Sequence, residues 1–277
     1  MKFNDNRVLI TGGASGIGKI MGRMALEKGA KEIVIWDINQ AGIDQTVKDF
    51  EALVKSKGLK GSAKGFRVDV SNNDIVKEAY QTILDECGYV DILINCAGVV
   101  TSNKTFDQQT AGEIVKTINI NTIAPMLVTL SMLSDMITRD KGHVCTIASA
   151  GGMISNPKMS VYGASKWGVI GWSDSMRIEL KNMKSKVGVT TIAPFYINTG
   201  MFDGVKSTIF PILDPEKTAA TIIRAIEKNK TFCGIPFGYH FIRFFQALLP
   251  TKLFDIIFGE WFGIYHTMDN FTGRKRA

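Results

Sequence analysis

Six short runs of β-branched and apolar residues punctuate the first two hundred positions: RVLITGG (7–13), EIVIWDI (32–38), KGFRVDV (64–70), VDILINCAG (90–98), GHVCTIAS (142–149) and VGVTTIAP (187–194). Most are apolar throughout rather than alternating. That pattern belongs to strands covered on both faces, and hence to a parallel sheet. Between them, residues 16–29, 40–57, 72–87, 111–139 and 161–182 carry helical spacing. Parallel neighbours need a crossover, so the repeated alternation predicts an α/β fold, a doubly wound parallel sheet of Rossmann type with right-handed crossovers. No repeat, linker or low-complexity block interrupts it before about residue 200. The expected organisation is a single domain over 1–277, with a core at 6–200 and a substrate lid and hydrophobic helical extension at 201–277.

A chain of 277 residues, 45% hydrophobic, buries a substantial core without disulfides or metals. Its four cysteines show no C-x-x-C spacing, and Cys96 and Cys145 lie inside apolar runs, which reads as buried reduced thiols. The net charge of +7 raises the question of nucleic acid, but the cations are dispersed and only GRKRA (273–277) is dense. No nucleic-acid motif accompanies them, so an anionic cofactor or lipid headgroups suit the charge better. The opening MKFNDN shows no signal peptide, and no segment approaches ~18 uninterrupted apolar residues.

The first strand is followed by TGGASGIG, Thr11 to Gly18, with glycines at 12, 16 and 18. Such a turn lets backbone approach a pyrophosphate, and the following helix offers free N–H groups. Gly-rich turns are common for duller reasons, but this one follows a strand and opens a helix. Asp37 then stands at the end of the second strand, where a carboxylate accepts from both ribose hydroxyls and repels a 2′-phosphate. No Arg or Lys occupies 13–15 or 37–40, so NAD is the expected cofactor. A P-loop is excluded, since no G-K-[ST] follows the glycines.

Further on, SVYGASKWGV (160–169) places Tyr162 and Lys166 one helical turn apart. Alone, the pair reads better as a packed Tyr beside a solvated Lys, and the spacing by itself does not decide for chemistry. As an acid–base centre, the ammonium lowers a phenol pKa of ~10 by about 1–3 units. The histidines, His143, His240 and His266, have no metal-ligand spacing and read as surface or capping residues; no metal is expected. A nucleophile elbow G-x-S-x-G is missing.

Taken in order, TGGASGIG, DV at 69–70, NCAG at 95–98, Asn121, Ser149 and the Y-x-x-x-K pair resemble the short-chain dehydrogenase/reductase family over roughly residues 6–200. The resemblance implies a catalytic set of Asn121, Ser149, Tyr162 and Lys166. Asn119 is a rival two residues away, but the small residue three after the Asn, Ala124, selects Asn121. It also implies that Gly12, Ser15, Gly16, Ile17 and Gly18 hold the pyrophosphate, Asp37 the adenosine ribose, and Asp69 with Val70 the adenine. Asn95, Ala97 and Gly98 would line the cofactor floor. Pro194, Ile197 and Thr199 of PFYINT would receive the nicotinamide, while Tyr162 and Lys166 also touch the cofactor. Most relatives carry Gly where this chain has Phe195, which leaves the local backbone path open. Tyr162 as phenolate would take the alcohol proton, Ser149 would polarise the substrate oxygen, and Asn121 would anchor a proton-relaying water.

Beyond residue 200, MFDGVK (201–206) and STIFPIL (207–213) suggest a mobile lid, and 214–230 an amphipathic helix with Pro215 near its start. Residues 237–269 are apolar and aromatic, with 237, 241, 244, 245 and 248 on one helix face, Pro250 interrupting, and a second apolar run at 253–262. This segment either packs on the core or a second subunit, or lies in a membrane interface or on a lipid droplet. PFYINTGMF and the hydrophobic C-terminal stretch resemble the retinol dehydrogenase and 17β-hydroxysteroid dehydrogenase branch. That implies a hydrophobic alcohol or ketone, retinoid-, steroid- or lipid-like, and a homodimer or homotetramer. Members of that branch often carry an N-terminal hydrophobic anchor, which MKFNDN does not offer; the expectation is a cytoplasmic chain, peripheral to a membrane or lipid droplet at most. The competing readings are an NADP(H)-dependent carbonyl reductase and a non-catalytic NAD-binding lipid-surface scaffold. A sugar-nucleotide epimerase is disfavoured by the short chain left after Thr199.

Overall fold

The computed structural model describes residues 1–273, so the cations at 274–276 lie outside the described residues. All six predicted strands form: β1 (Arg7–Thr11), β2 (Glu32–Asp37), β3 (Ser62–Arg67), β4 (Ile92–Asn95), β5 (His143–Ile147) and β6 (Gly188–Pro194), five within their expected runs and β3 starting two residues before its own and ending three short of it. A seventh, β7 (Phe232–Ile235), lies beyond the runs that the sequence suggests. With four residues and a central Gly, it has too little periodicity to be read, and it forms by pairing beside β6. The sheet is parallel throughout, in the order β3-β2-β1-β4-β5-β6-β7.

The crossovers are α1 (Gly16–Glu27), α2 (Gln40–Lys57), α3 (Asn73–Glu86), α4 (Ala111–Ile118), α5 (Ala124–Thr138), α6 (Ser160–Asn182) and α7 (Pro215–Glu227). Successive strand residues point to opposite faces. Ile10, Ile33 and Ile94 therefore pack with Met21, Phe50 and Ile222 on one side. Their neighbours Leu9, Val34 and Leu93 pack with Val76, Val128 and Leu180 on the other. Two covered faces explain the unbroken apolar runs.

The helical stretch expected at 111–139 is not continuous, because a π-helical turn at Asn119–Ile123 separates α4 from α5. By length and composition Ala111–Thr138 could also cross a membrane. Here Val128, Met132 and Met136 of that run are buried under the sheet. After β7 the chain forms α8 (Tyr239–Leu248), the single turn α9 (Thr251–Phe254) and a π-helical stretch at Asp255–Trp261.

His143 corrects the expectation of a surface or capping residue: it sits on β5 and is 1% exposed. Thr190 donates to the Lys230 carbonyl (2.6 Å), so His143 Nε2 is the donor to Thr190 Oγ1 at 2.9 Å. Burial pushes its pKa down to about 3. Below about pH 6.5 the unfolded chain binds a proton that the folded chain refuses, so stability falls on acidification over the window down to about 3. Between pH 7 and pH 4.5 this group removes about 2–3 kcal/mol. Urea unfolding at the two pH values checks it: His143→Gln shows a smaller acid loss than the wild type, and an equal loss contradicts the assignment.

Candidate active site

The strand order turns back between β1 and β4, and both strands end beside the glycine turn. Gly12 (φ 67°) and Gly16 (φ 54°) adopt left-handed conformations. A Cβ at Gly12 would stand 2.9 Å from Ala97 Cα, and one at Gly18 only 2.3 Å from the Gly12 carbonyl oxygen. The two turns and α1 are thus pressed together at spacing only glycine permits. Thr11 Oγ1 locks the seam, accepting from Cys96 N and Ala97 N at 3.1 Å each. Ser15 caps α1 without a side-chain bond, and no acidic residue occupies the first turn. With Ile17 following, this N-terminus suits a pyrophosphate.

Asp37 ends β2 facing the turn: Oδ2 accepts from Ala14 N (3.2 Å) and Oδ1 from Asn39 N (3.1 Å). Lone pairs remain on both oxygens, which fits a ribose diol. Asp69 is exposed and closes a turn onto Ser71, while Val70 is buried beside it. Asn95 departs from its expected place. Its side chain is turned inward to Thr129 Oγ1 at 3.0 Å, while Ala97 lies against Gly12 and Gly98 faces Asn121 and Lys166. Pro194 ends β6, Ile197 is buried and bridges to Leu213, and Thr199 N donates to the Ile197 carbonyl at 2.8 Å.

The four presumptive catalytic residues converge on the end of β5. Ser149 follows that strand, and Gly151 N donates to its Oγ at 3.1 Å. The Ser149 side chain stands beside the Tyr162 phenol and works to lower its pKa. Lys166, one turn along α6, donates to the Ile147 carbonyl at 2.9 Å. Asn121 lies fully buried in the π-helical turn between α4 and α5. Its Oδ1 accepts from Val99 N (2.8 Å), and its Nδ2 donates to the Val99 carbonyl (2.9 Å) and Ser165 Oγ (3.2 Å). A Cβ on Gly98 would meet Asn121 Oδ1 at 3.4 Å and Lys166 Nζ at 3.6 Å. All three therefore border one space.

Protonation departs from the simplest expectation. Burial pushes Tyr162 up to about 12, offset in part by the neighbouring Ser149, while burial pushes Lys166 down to about 8. Lys166 does not hold the phenolate down in the chain alone. Its ammonium is turned to Ile147, and Nζ stands 5.9 Å from the Tyr162 ring centre.

An apolar cavity opens beside Tyr162 and Ser149, walled by Ile154, Phe195, Phe202, Phe210, Ile242 and Ile264. Phe195, the departure from the expected Gly, is one wall: its ring meets Tyr196 at 4.6 Å and Phe210 at 5.7 Å. Phe202, from the expected lid, stands edge-on to Tyr162 at 6.0 Å. Sequence reasoning missed a polar trio in this wall. Asn156 Nδ2 donates to Tyr196 Oη (3.0 Å) and Thr267 Oγ1 (2.7 Å). Tyr239 was also missed as a brace; its hydroxyl donates to the Ala150 carbonyl at 2.6 Å, tying α8 to the Ser149 loop. These partners lie 40 to 111 positions apart, so no local signal exists. Among the described residues, no group of three or more His, Cys, Asp or Glu could hold a metal.

A glycine-cradled turn with an acid at the end of the second strand, beside a Ser–Tyr–Lys centre, fits a dinucleotide-dependent oxidoreductase of alcohols and carbonyls. The chain belongs to the short-chain dehydrogenase/reductase family: the model for short chain dehydrogenase matches residues 6–209. Among its relatives is epidermal retinol dehydrogenase 2 of Mus musculus, 33% identical over 97% of this chain and 86% of the relative. Another is estradiol 17-beta-dehydrogenase 11 of Homo sapiens, 30% identical over 90% and 81%. A short-chain dehydrogenase/reductase from Burkholderia phymatum, solved in complex with NAD, superposes with a TM-score of 0.80 at 20% identity, covering 94% of this chain and 96% of that one. The family acts on CH–OH groups using NAD(H) or NADP(H).

Proposed function

We propose that the protein is an NAD-dependent dehydrogenase of a hydrophobic alcohol or ketone, working as a single domain. The observation that carries this reading is that Tyr162 and Ser149 together line one aromatic-walled cavity. NAD over NADP rests on Asp37, whose two acceptors face the glycine turn. The retinol and estradiol named for two relatives are of the same apolar class.

The glycine turn, Ser15 and Ile17 would hold the pyrophosphate, Asp37 the ribose, and Pro194, Ile197 and Thr199 the nicotinamide end. When bound in its oxidised form, the cofactor supplies a hydride acceptor and a positive charge. That charge favours phenolate at Tyr162, which burial otherwise opposes. Tyr162 then takes the hydroxyl proton, and Ser149 donates to the oxygen as negative charge gathers there. Lys166 and Asn121 border the route by which that proton leaves. A second copy has its own apolar surface, where Leu130 of α5 and Trp167 of α6 are exposed, and a homodimer would form there.

An alcohol series of rising chain length tests the substrate class. Each buried CH₂ contributes about 0.8 kcal/mol, so kcat/KM with NAD rises about two- to fourfold per carbon until the cavity is filled. A flat or falling series contradicts an apolar substrate. Faster turnover with NADPH on ketones would instead mark a carbonyl reductase.

A further inference from the structure

The segment after β7 has two faces of opposite fate. Tyr239, Ile242 and Phe254 turn inward and are buried against Ala150, Met153 and Ile154. Phe237, Phe241, Phe244 and Leu248 recur on the other side at helical spacing, each at least 60% exposed. Beyond Pro250 the exposed row continues with Leu253, Ile256, Trp261 and Phe262, Trp261 being 78% exposed. An apolar surface of this extent marks an interaction site rather than ordinary solvent contact. The expectation that this segment packs on the core thus holds for its inner face only.

Charge selects the partner. Within this surface the acids are engaged: Asp255 accepts from the Tyr265 hydroxyl, and Glu260 pairs with His266 Nε2 at 3.2 Å. Arg243 is engaged too, through Met153 Sδ and the Phe232 ring, which leaves Lys252 as the exposed cation; among the described residues it makes no ion pair. Aromatic rings and an exposed Trp beside this Lys, on a chain of net charge +7, match the headgroup region of an anionic membrane. The inner side of the same helix walls the cavity through Tyr239 and Ile242, and Phe210 closes against Gly238. The helix that bears the apolar surface is therefore also a wall of the cavity.

We propose that the outer face of residues 237–262 docks the protein on an anionic phospholipid membrane surface. This goes beyond the catalytic reading and is tested by binding alone. The full chain is floated with phosphatidylcholine vesicles with and without phosphatidylserine. The wild type floats, and more so with phosphatidylserine. Phe241→Glu combined with Phe244→Glu lowers the bound fraction about tenfold, with unchanged NADH affinity and thermal midpoint. Should that pair fail to fold, Lys252→Glu removes the phosphatidylserine-dependent increment at unchanged midpoint. A wild type that does not float, or a folded double variant that floats equally, overturns the proposal. So does a wild-type dimer that ignores vesicles and is dispersed by the double variant, which assigns the face to a second copy.

Discussion

Tyr162→Phe lowers kcat with an accepted alcohol by about 10²–10⁴-fold while leaving NADH affinity near that of the wild type. The phenol lines the cavity beside Ser149, and Phe keeps its ring contact with Phe202 while losing the exchangeable proton. Burial holds that proton up to about 12 in the free chain, so alcohol oxidation by the wild type rises with pH through the neutral and alkaline range. Lys166, pushed down to about 8, loses its charge over part of the same range and caps the rise. A pH profile of kcat/KM, with the Phe variant as baseline, reads both limbs. Near-normal turnover in Tyr162→Phe places the acid–base group elsewhere.

The second large effect falls on the cofactor. Asp37→Ala weakens NADH binding by roughly 10–100-fold, because hydrogen bonds to a charged acceptor contribute about 1.5–3 kcal/mol each and a ribose diol makes two, offset by water. NADPH binding changes little or improves, since the carboxylate that repels a 2′-phosphate is gone. Fluorescence titration with both cofactors measures this. Equal affinity of the wild type for NADH and NADPH contradicts the assignment of Asp37. The variant also loses the bonds from Ala14 N and Asn39 N, so its thermal midpoint is the control for a loosened turn.

Most of the sheet was legible because burial on both faces writes unbroken apolar runs, as Leu9 and Ile10 show by packing into opposite layers. The glycine turn, Ser149, Tyr162 and Lys166 were legible because their spacing is local or their order distinctive. What stayed hidden is what the tertiary structure decides. β7 is four residues that become a strand only beside β6. The π-helical turn at Asn121 leaves no mark in an apolar helical run. His143 reads as polar, and only the sheet shows it sealed against Thr190. Asn95 reads as a cofactor contact, yet its orientation follows from strand alternation toward Thr129. The direction of the Tyr162 shift depends on burial and on where Lys166 points, neither of which a four-residue spacing carries.

The central claim is that this chain moves a hydride between an apolar alcohol and NAD at Tyr162. A long-chain primary alcohol deuterated at its carbinol carbon, incubated with NAD and the full chain, tests it most directly. Mass spectrometry of the cofactor then shows deuterium on the reduced nicotinamide, and the label is lost in Tyr162→Phe. Tight NADH binding with no label transferred, across retinoid, steroid and long-chain alcohols, contradicts the claim and leaves a cofactor-binding scaffold.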